Sequence, residues 1–309
     1  MRTGERGSFI SKTRKVRANS TFAAVLLVAP VVFDGATARA QDIATPQPAK
    51  QAAVLAINVA LGALSAGIGR VISHKPVKRA ALYGGLGGAA SYVGKRVIAR
   101  SDPVTNLLGR EFSAAGASII ANAGSGLGPF DRFVFPYGPV RVHWDRLAPR
   151  HFSAKLDVAT TLETAWTVRK RGVRFDIKRS LSSGAPTFSV DSGRAGNVQL
   201  PDVGGSQIAG VILHRDQTRF IGEATSTIDR TLGHELVHLA QYDFSFITVA
   251  APAERSVLQR TKGTAWINKY MDLGLNVPTW SGLNRLIPYH HRPWEIEAST
   301  FSHLREVKP

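Results

Sequence analysis

The sequence of 309 residues contains no cysteine and has few acidic residues. Without cysteine the fold cannot depend on disulfide bonds, and a metal site would have to use histidine and carboxylate ligands. Against 22 acidic residues stand 39 lysines and arginines, which give a net charge of +17 at pH 7. This charge favours contact with anionic lipid, cell-wall polymer or nucleic acid. A basic helix with interleaved aromatic residues is also lacking, so we do not expect the protein to bind nucleic acid.

The first 40 residues have the three parts of a secretory signal peptide. A basic start is followed by a short uncharged run, Ser20 to Phe33, and then by the small-residue site Ala38-Arg39-Ala40. This order predicts cleavage after Ala40 and export to the periplasm or cell envelope. Residues 1–40 carry seven basic and two acidic residues, a net +5, so the mature chain keeps +12 of the +17. The alternative is a single anchoring helix, although the run is short for a bilayer span.

Residues 41–50 form a polar segment with two prolines, which indicates a linker, and residues 51–128 form a zone rich in Ala and Gly. Three helices are expected in this zone, the third opening at Asp102-Pro103, where Asp can cap a helix and Pro fits its first turn. Small residues at spacings of three and four, such as Gly84 and Gly88, are typical of membrane helices that pack closely. The stretch Ala52 to Gly69 has no charge and is near the length of a membrane span. A hairpin in or on a membrane and a soluble, tightly packed helical cap are both consistent with this zone.

The glycine-rich stretch GGLGGAAS in the second helix does not indicate a nucleotide site. No strand precedes it, and Arg96 follows Lys95 at the position where a P-loop needs Ser or Thr. The sequence therefore argues against a Rossmann or P-loop fold.

Residues 129–309 mix strand and helix patterns in one domain. The alternation in Arg132 to Trp144 predicts a short strand pair, interrupted by Pro136 and Gly138. A helix is expected over Leu156 to Lys170, with one apolar face formed by Leu156, Ala159, Leu162 and Trp166. Residues 172–180 and 185–192 are then expected to form two strands around the turn Ser182-Ser183-Gly184. Residues 206–216 are expected to form a third, more buried strand.

A helix that carries two histidines follows, in the stretch TLGHELVHLAQYD. Residues 226–229 fit a capping box, so the helix is expected to begin there. One face is an apolar stripe, made of Ile228, Leu232, Leu236 and Leu239. The other face carries Thr231, His234, His238, Gln241 and Tyr242. Residues four apart are neighbours on a helix, so both imidazoles can bind one ion while Glu235 touches a water beside it. The alternative is an ordinary polar helix face.

Together with the later segment RPWEIEASTF, the stretch HELVHLAQ resembles the gluzincin class of zinc metallopeptidases. The resemblance covers roughly residues 210–304 and is strong at these two motifs. It implies an α+β fold, in which the Gly/Ala-rich helical region precedes a zincin-like small sheet, an active-site helix and a C-terminal ligand helix. It also implies that zinc (Zn2+) is held by His234, His238 and a downstream glutamate, which the family frame places at Glu295.

The same segment offers a second candidate for the third ligand. Glu297 lies about 200° around a helix from Glu295, so only one of the two can face the site. Ser299 stands where relatives often carry Asp or Asn, which removes a partner that would orient a ligand histidine. Just upstream, Tyr289 or His290 suits the oxyanion donor that gluzincins commonly use, although a polar loop before the helix is the simpler interpretation.

The remaining patterns narrow the class of site. Gln241 and Phe244 stand where the extended metzincin pattern needs Gly and His, so that class is excluded. Four other histidines have no ligand spacing and are treated as surface or core residues: His143, His151, His214 and His303.

The sequence thus predicts zinc-dependent hydrolysis of peptide bonds in the cell envelope, with Glu235 as general base. Peptides or unfolded proteins are the expected substrates, because the strand Ile208 to His214 could pair with an extended chain. Membrane lipid or an anionic envelope polymer is the other expected partner. The alternative is a non-enzymatic, membrane-associated envelope protein with a structural or vestigial metal site. A structural site would be closed by a fourth protein ligand, and none is visible at tight spacing.

Overall fold

The structure is a computed structural model that describes residues 47–99, 103–190, 205–215, 225–258 and 263–302. Within these ranges the protein is mixed α/β, with mostly helices and two small mixed sheets. The expected signal peptide, residues 1–40, lies outside the described residues. One described helix, over Pro48–Ile72, is long and apolar enough to cross a membrane, and only 28% of its most apolar window is buried.

The secondary structure elements follow one another in this order. The first region contains α1 (Gln47–Ile72), α2 (Lys78–Ile98) and α3 (Pro103–Ser125). The middle of the chain contains β1 (Arg132–Tyr137), β2 (Val140–Asp145), β3 (Phe152–Asp157), α4 (Val158–Val168), β4 (Val173–Phe175), α5 (Ile177–Ser183), β5 (Thr187–Val190), β6 (Gly205–Ile208) and β7 (Val211–Arg215). The last part contains α6 (Thr225–Ser245), a π-helical turn (Phe246–Ala250), α7 (Ala251–Leu258), α8 (Ala265–Tyr270), β8 (Met271–Asp272), α9 (Asn276–Leu286), a 3-10 turn (Tyr289–His291) and α10 (Pro293–Ser302).

The three helices expected in the Gly/Ala-rich zone are all present. Their backbones pack so closely that a methyl group on Gly62 would overlap the carbonyl oxygen of Gly84, and one on Gly88 would overlap that of Asn58. Gly62 of α1 contacts Gly84 of α2, and the earlier residue Asn58 contacts the later residue Gly88, so α1 and α2 run antiparallel. Residues 47–50 of the segment expected to be a linker belong to helix α1, and residues 41–46 lie outside the described residues.

Two expected strand assignments are wrong. The segment after β4 is the helix α5, whose first turn is capped by the Asp176 carboxylate and which ends at Gly184 in the left-handed conformation. Residues 206–216 do not form one strand but a hairpin of β6 and β7, because Ala209 (φ 45°) and Gly210 (φ 81°) turn the chain back. In contrast, β1 and β2 form the expected strand pair, and Pro136 lies inside β1 without interrupting it.

The two sheets are small and separate. The first has the strand order β1-β2-β3-β8, with β8 parallel to β3. The second has the order β4-β5-β7-β6, so β7 lies between two strands and β6 is an edge strand of the described sheet. The inner position of β7 rules out the expected pairing of its backbone with a substrate chain.

The apolar face predicted for α4 is also wrong. Leu162 is 66% exposed and Trp166 is 62% exposed, whereas Thr160 and Thr167 are buried. Polar contacts orient the helix, because the Thr160 hydroxyl oxygen lies 2.7 Å from both an Asp157 carboxylate oxygen and the Ala209 carbonyl oxygen, and its one hydrogen bonds to one of these two acceptors.

Helix α6 lies at the centre of the largest apolar cluster. Its residues Leu236, Val237, Leu239 and Ala240 pack in one core with Val54, Tyr92 and Ile98 of the first two helices and Ala298 and Phe301 of α10. Leu236 and Leu239 of the predicted apolar stripe are buried and Leu232 packs against the same core, whereas the side chain of Ile228 lies outside the described residues. On the predicted polar face, Gln241 and Tyr242 are buried as well, each at most 5% exposed. The two histidines sit between the first three helices and α10 and not on a solvated surface.

Candidate metal centre

Helix α6 brings the two imidazoles together by its own geometry. His234 and His238 are four residues apart, and their rings meet edge to face with centroids 4.6 Å apart. Their Nε2 atoms are 3.0 Å apart. His234 is 4% exposed, so burial in the core fixes its place.

Glu295, in the first turn of α10, supplies the third atom of the cluster. Its Oε2 lies 3.2 Å from His234 Nε2 and 3.1 Å from His238 Nε2. The packing of α10 against α6 through Ala298 and Phe301 is what holds this carboxylate in place across 57 residues of sequence. The three ligand atoms all lie within 4.8 Å of one another.

The three atoms fit a divalent metal ion. Three lone-pair atoms this close repel one another unless they share a cation, either a proton or a metal. In a tetrahedral zinc site with bonds of about 2.0–2.1 Å, neighbouring ligand atoms lie about 3.3–3.4 Å apart, close to the sides of this triangle. Two imidazole nitrogens and one carboxylate oxygen also match a common ligand set of catalytic zinc. In the part of the chain that the structure describes, the group has three members and no fourth ligand.

Without a metal the charges of the three groups adjust to one another. Burial lowers the pKa of His238, but its bond to Glu295 and the charge of that carboxylate outweigh burial and raise the pKa to about 9. Burial raises the pKa of Glu295, but the bonds from both histidines outweigh it and hold the pKa well below its usual range. Burial dominates at His234 and lowers its pKa. The site therefore favours an ionised carboxylate facing the imidazoles, which is the charge state that a metal ligand needs.

Glu235, the expected general base, is next to the triangle and out of solvent. It is 4% exposed, and burial, followed by the charge of Glu295, raises its pKa to about 7 against the opposing charge of His238. A carboxylate of this kind is suited to accept and return a proton near neutral pH.

Tyr289 lies at the site, as the sequence suggested. Its hydroxyl is hydrogen-bonded to Glu295, and burial, followed by the Glu295 charge, raises the pKa of the phenol. The ring is 41% exposed, so one edge of the site reaches the surface at this residue. The side chain of His290 lies outside the described part of the structure, and its expected role stays a prediction.

Glu297, the alternative third ligand, faces away from the imidazoles. Its carboxylate accepts hydrogen bonds from Asn58 Nδ2 at 2.6 Å, from Lys95 Nζ at 3.0 Å and from Gln241 Nε2 at 2.7 Å. The Gln241 amide oxygen in turn lies 2.8 Å from His238 Nδ1. Glu297 therefore contacts His238 only through Gln241 and is not a member of the triangle of His234, His238 and Glu295.

Sequence reasoning missed Asn58 and Lys95. The available signal was weak, since each is a polar side chain inside an otherwise apolar helix.

The sequence also predicted Tyr242 to lie near the site. The Tyr242 hydroxyl instead lies 3.4 Å from an oxygen of Asp157, in a different buried cluster. The hydrogen-bond partner of His238 Nδ1 is Gln241 and not the residue at position 299. The side chain of Thr231 lies outside the described residues.

Two of the other histidines have structural partners. His143 Nε2 lies 2.8 Å from the Asp272 carboxylate, and His214 is buried beside Arg179 and Asp176. His151 is exposed, and His303 lies outside the described residues. None of the three described residues joins the triangle of His234, His238 and Glu295.

Comparison of the chain with protein-family models, with curated proteins and with solved structures found no match. The chemistry of this site is therefore inferred from its own geometry.

Proposed function

We propose that the protein is a zinc-dependent peptidase of the cell envelope with a zincin-like catalytic region. One observation carries this proposal: His234, His238 and Glu295 converge on one point, and the carboxylate of Glu235 lies beside them. The sequence resemblance to gluzincins assigns the same four residues the same roles. The absence of a fourth ligand among the described residues supports an open, catalytic site over a closed, structural one.

In the proposed reaction, each residue of the site has its own role. When bound, zinc supplies a Lewis acid that polarises a carbonyl and lowers the pKa of a water to about 7. Glu235 accepts the proton of the water that attacks the scissile carbonyl and passes it to the leaving amine. Tyr289 stands at the open edge with its hydroxyl bonded to Glu295. The oxyanion can receive a hydrogen bond from His290, or from Tyr289 once its one hydrogen turns from Glu295 to the oxyanion.

The preferred substrate is an extended peptide or unfolded protein. Strand β6 packs against α6 and has a free edge in the described sheet. An extended chain can add to such an edge by backbone hydrogen bonds, which would lay it alongside the helix that carries the histidines.

Metal analysis combined with a Glu235→Gln variant tests the enzymatic proposal. Wild type is expected to bind one zinc per chain and to degrade casein, and the variant is expected to keep the zinc and lose the activity. Thr167→Val, a buried change on α4, is the control that should keep both. A wild type that binds zinc but cleaves no unfolded protein favours the alternative, a non-enzymatic envelope protein. A wild type without metal, unaffected by chelators, contradicts both readings of the site.

We also propose that the outer face of α1, α2 and α3 contacts a lipid membrane. The three helices carry large apolar side chains that are 42–64% exposed, namely Leu64, Leu82, Leu86, Val93, Leu108 and Phe112. Residues 51–69 and 80–94 contain no charge, which corresponds to about 28 Å and about 22 Å of helix. Basic residues stand at both ends: Arg70 and Arg79 at one end of the antiparallel pair, Lys50 and Arg96 at the other.

This pattern suits a bilayer, whose apolar interior is bordered by anionic headgroups. The test is co-sedimentation of the protein lacking residues 1–40 with vesicles that contain anionic phosphatidylglycerol. We expect Leu82→Asp with Leu86→Asp to abolish binding and Leu162→Asp, an equally exposed leucine on α4, to leave it unchanged. Equal binding of the two variants would contradict this surface as the membrane contact.

A further inference from the structure

We propose that Lys95 and Glu297 are positioning residues that hold Gln241, and through it His238, in the orientation that binds metal. This inference rests on the proposed zinc site but not on the reaction that the site performs. It gives the first two helices a part in the metal centre, since Lys95 belongs to α2 and its partner Asn58 to α1.

The Glu297 carboxylate is the hub of this arrangement. Its Oε1 accepts from Asn58 Nδ2 and Lys95 Nζ, and its Oε2 accepts from Lys95 Nζ and Gln241 Nε2, at 2.6–3.0 Å. The side chains of Lys95 and Glu297 are 5% and 13% exposed, so the pair is desolvated. Asn58 also bridges to Lys95, whose Nζ lies 2.9 Å from Asn58 Oδ1.

These contacts settle which way the Gln241 amide points. Its Nε2 has two hydrogens, and each has an acceptor: the Glu297 carboxylate at 2.7 Å and the Trp294 carbonyl oxygen at 3.0 Å. If the amide were turned over, its oxygen would face a carboxylate and a carbonyl oxygen, and all of these groups only accept hydrogen bonds. The amide oxygen must therefore face His238.

The orientation of Gln241 then fixes the tautomer of His238. The amide oxygen lies 2.8 Å from His238 Nδ1 and can only accept, so Nδ1 carries the hydrogen. The lone pair of a neutral His238 is left on Nε2, the atom that faces Glu295 and His234. Hydrogen bonds of this kind, from the far nitrogen of a ligand histidine, set its orientation and basicity.

The charge of Lys95 stabilises the buried Glu297 carboxylate. A buried carboxylate without a cation is strongly unfavourable, so Glu297 would move or take other partners if Lys95 were removed. His234 differs from His238 in this respect, because its Nδ1 is buried and has no hydrogen-bond partner among the described residues. Among the described residues, a buried polar chain reaches His238 and not His234.

The experiment measures zinc affinity by competition with a chelator, on protein whose folding is checked by circular dichroism. Gln241→Met and Lys95→Met are each expected to weaken zinc binding by about 10- to 100-fold. The double variant Lys95→Met with Glu297→Leu guards against misfolding, because it leaves no buried charge unpaired and should still lose affinity. Ser91→Ala, at another position of α2, removes a buried hydrogen bond to Ser113 of α3; it is the control and should bind zinc as wild type does.

A spectroscopic signature separates positioning from general destabilisation. In the zinc-loaded protein, NMR should detect a slowly exchanging Nδ1–H of His238 in wild type and in Ser91→Ala. This signal should be lost or exchange rapidly in Gln241→Met and in the double variant. Wild-type affinity and an unchanged Nδ1–H signal in these two variants would overturn the proposal, whatever their peptidase activity. A wild type that binds zinc tightly but cleaves nothing would instead overturn only the enzymatic function.

Discussion

A single methyl group at Gly88 tests how the helix layer supports the metal site. A Cβ atom at this position would overlap the carbonyl oxygen of Asn58, the residue that donates to Glu297. The two helices would have to separate for Gly88→Ala to fold. Gly85, one turn away on the same helix, offers the matched control, since its Cβ would lie 3.4 Å from the nearest atom, Val59 Cγ1.

The difference in stability between Gly88→Ala and Gly85→Ala measures the cost of overpacking between α1 and α2. Both substitutions replace a helical glycine by alanine, which favours the helix by about 1 kcal/mol in each case. That gain cancels between the two variants, and the remaining difference is the overpacking at Gly88, about 1–3 kcal/mol. For a protein of this size each kcal/mol corresponds to about 1.5–2 °C in Tm.

Chemical and thermal denaturation measure this difference, and chelator competition measures its effect on the site. We expect Gly85→Ala to be at least as stable as wild type and to bind zinc normally. Gly88→Ala should be less stable than Gly85→Ala and should bind zinc more weakly, because Asn58 is displaced from Glu297. Equal stability of the two variants would refute the close packing of α1 on α2. Lower stability with unchanged zinc affinity would refute the link between that packing and the site.

Three other measurements follow from the buried charges and the metal. Burial raises the pKa of Glu111 from 4.5 to about 7, so this group destabilises the fold as the pH rises from 4.5 through 7. Glu111→Gln should therefore raise the free energy of unfolding by about 2–3 kcal/mol at pH 8 and change it little at pH 4, and the same gain at both pH values would contradict this. Arg141 is 1% exposed and pairs with Asp157 and Asp243, so Arg141→Met should cost about 3–5 kcal/mol in urea denaturation. Arg146→Met removes a partner of Asp131 whose side chain is 64% exposed, so it should cost at most about 1 kcal/mol, and similar losses in the two variants would count against a buried cluster. Zinc at 100 times its dissociation constant should stabilise the fold by about 2.7 kcal/mol, measured as a rise in Tm that a chelator reverses.

The parts of the fold that the sequence revealed are those with a strong local pattern. The three N-terminal helices and α6 could be predicted because their small or apolar residues repeat at helical spacing over many turns. Short segments were harder. The hairpin of β6 and β7 resembled one strand, since the residues that turn it, Ala209 and Gly210, are small and carry no strong turn signal. Helix α5 was taken for a strand because its seven residues are too few to show a period.

The part of the candidate site that lies on helix α6 could be predicted from local spacing, but its long-range contacts could not. His234, Glu235 and His238 stand on one helix, and their spacing alone places them together. Gln241 was also predicted to lie on that face. Its hydrogen bonds were not, because Glu297 is 56 residues away and the partners of Glu297 in the first helices are 202 and 239 residues away. No local pattern encodes a contact at such a separation, and only the packing of α10 against both α6 and the helix layer creates it.

The proposed metal centre should therefore depend on the N-terminal helices, and residues 129–309 alone should not retain the site. A fragment of that length would lose Val54, Tyr92 and Ile98 from the core that surrounds α6, so Leu236 and Leu239 would be opened to solvent. It would also lose both Asn58 and Lys95, which leaves Glu297 buried with no cation beside it. The fragment can relieve this only by exposing α10, and Glu295 stands on the same helix two residues earlier. Displacing one carboxylate to water thus displaces the other from the imidazoles. Zinc binding by the isolated fragment with wild-type affinity would show that α10 is held by the sheets and α6 alone.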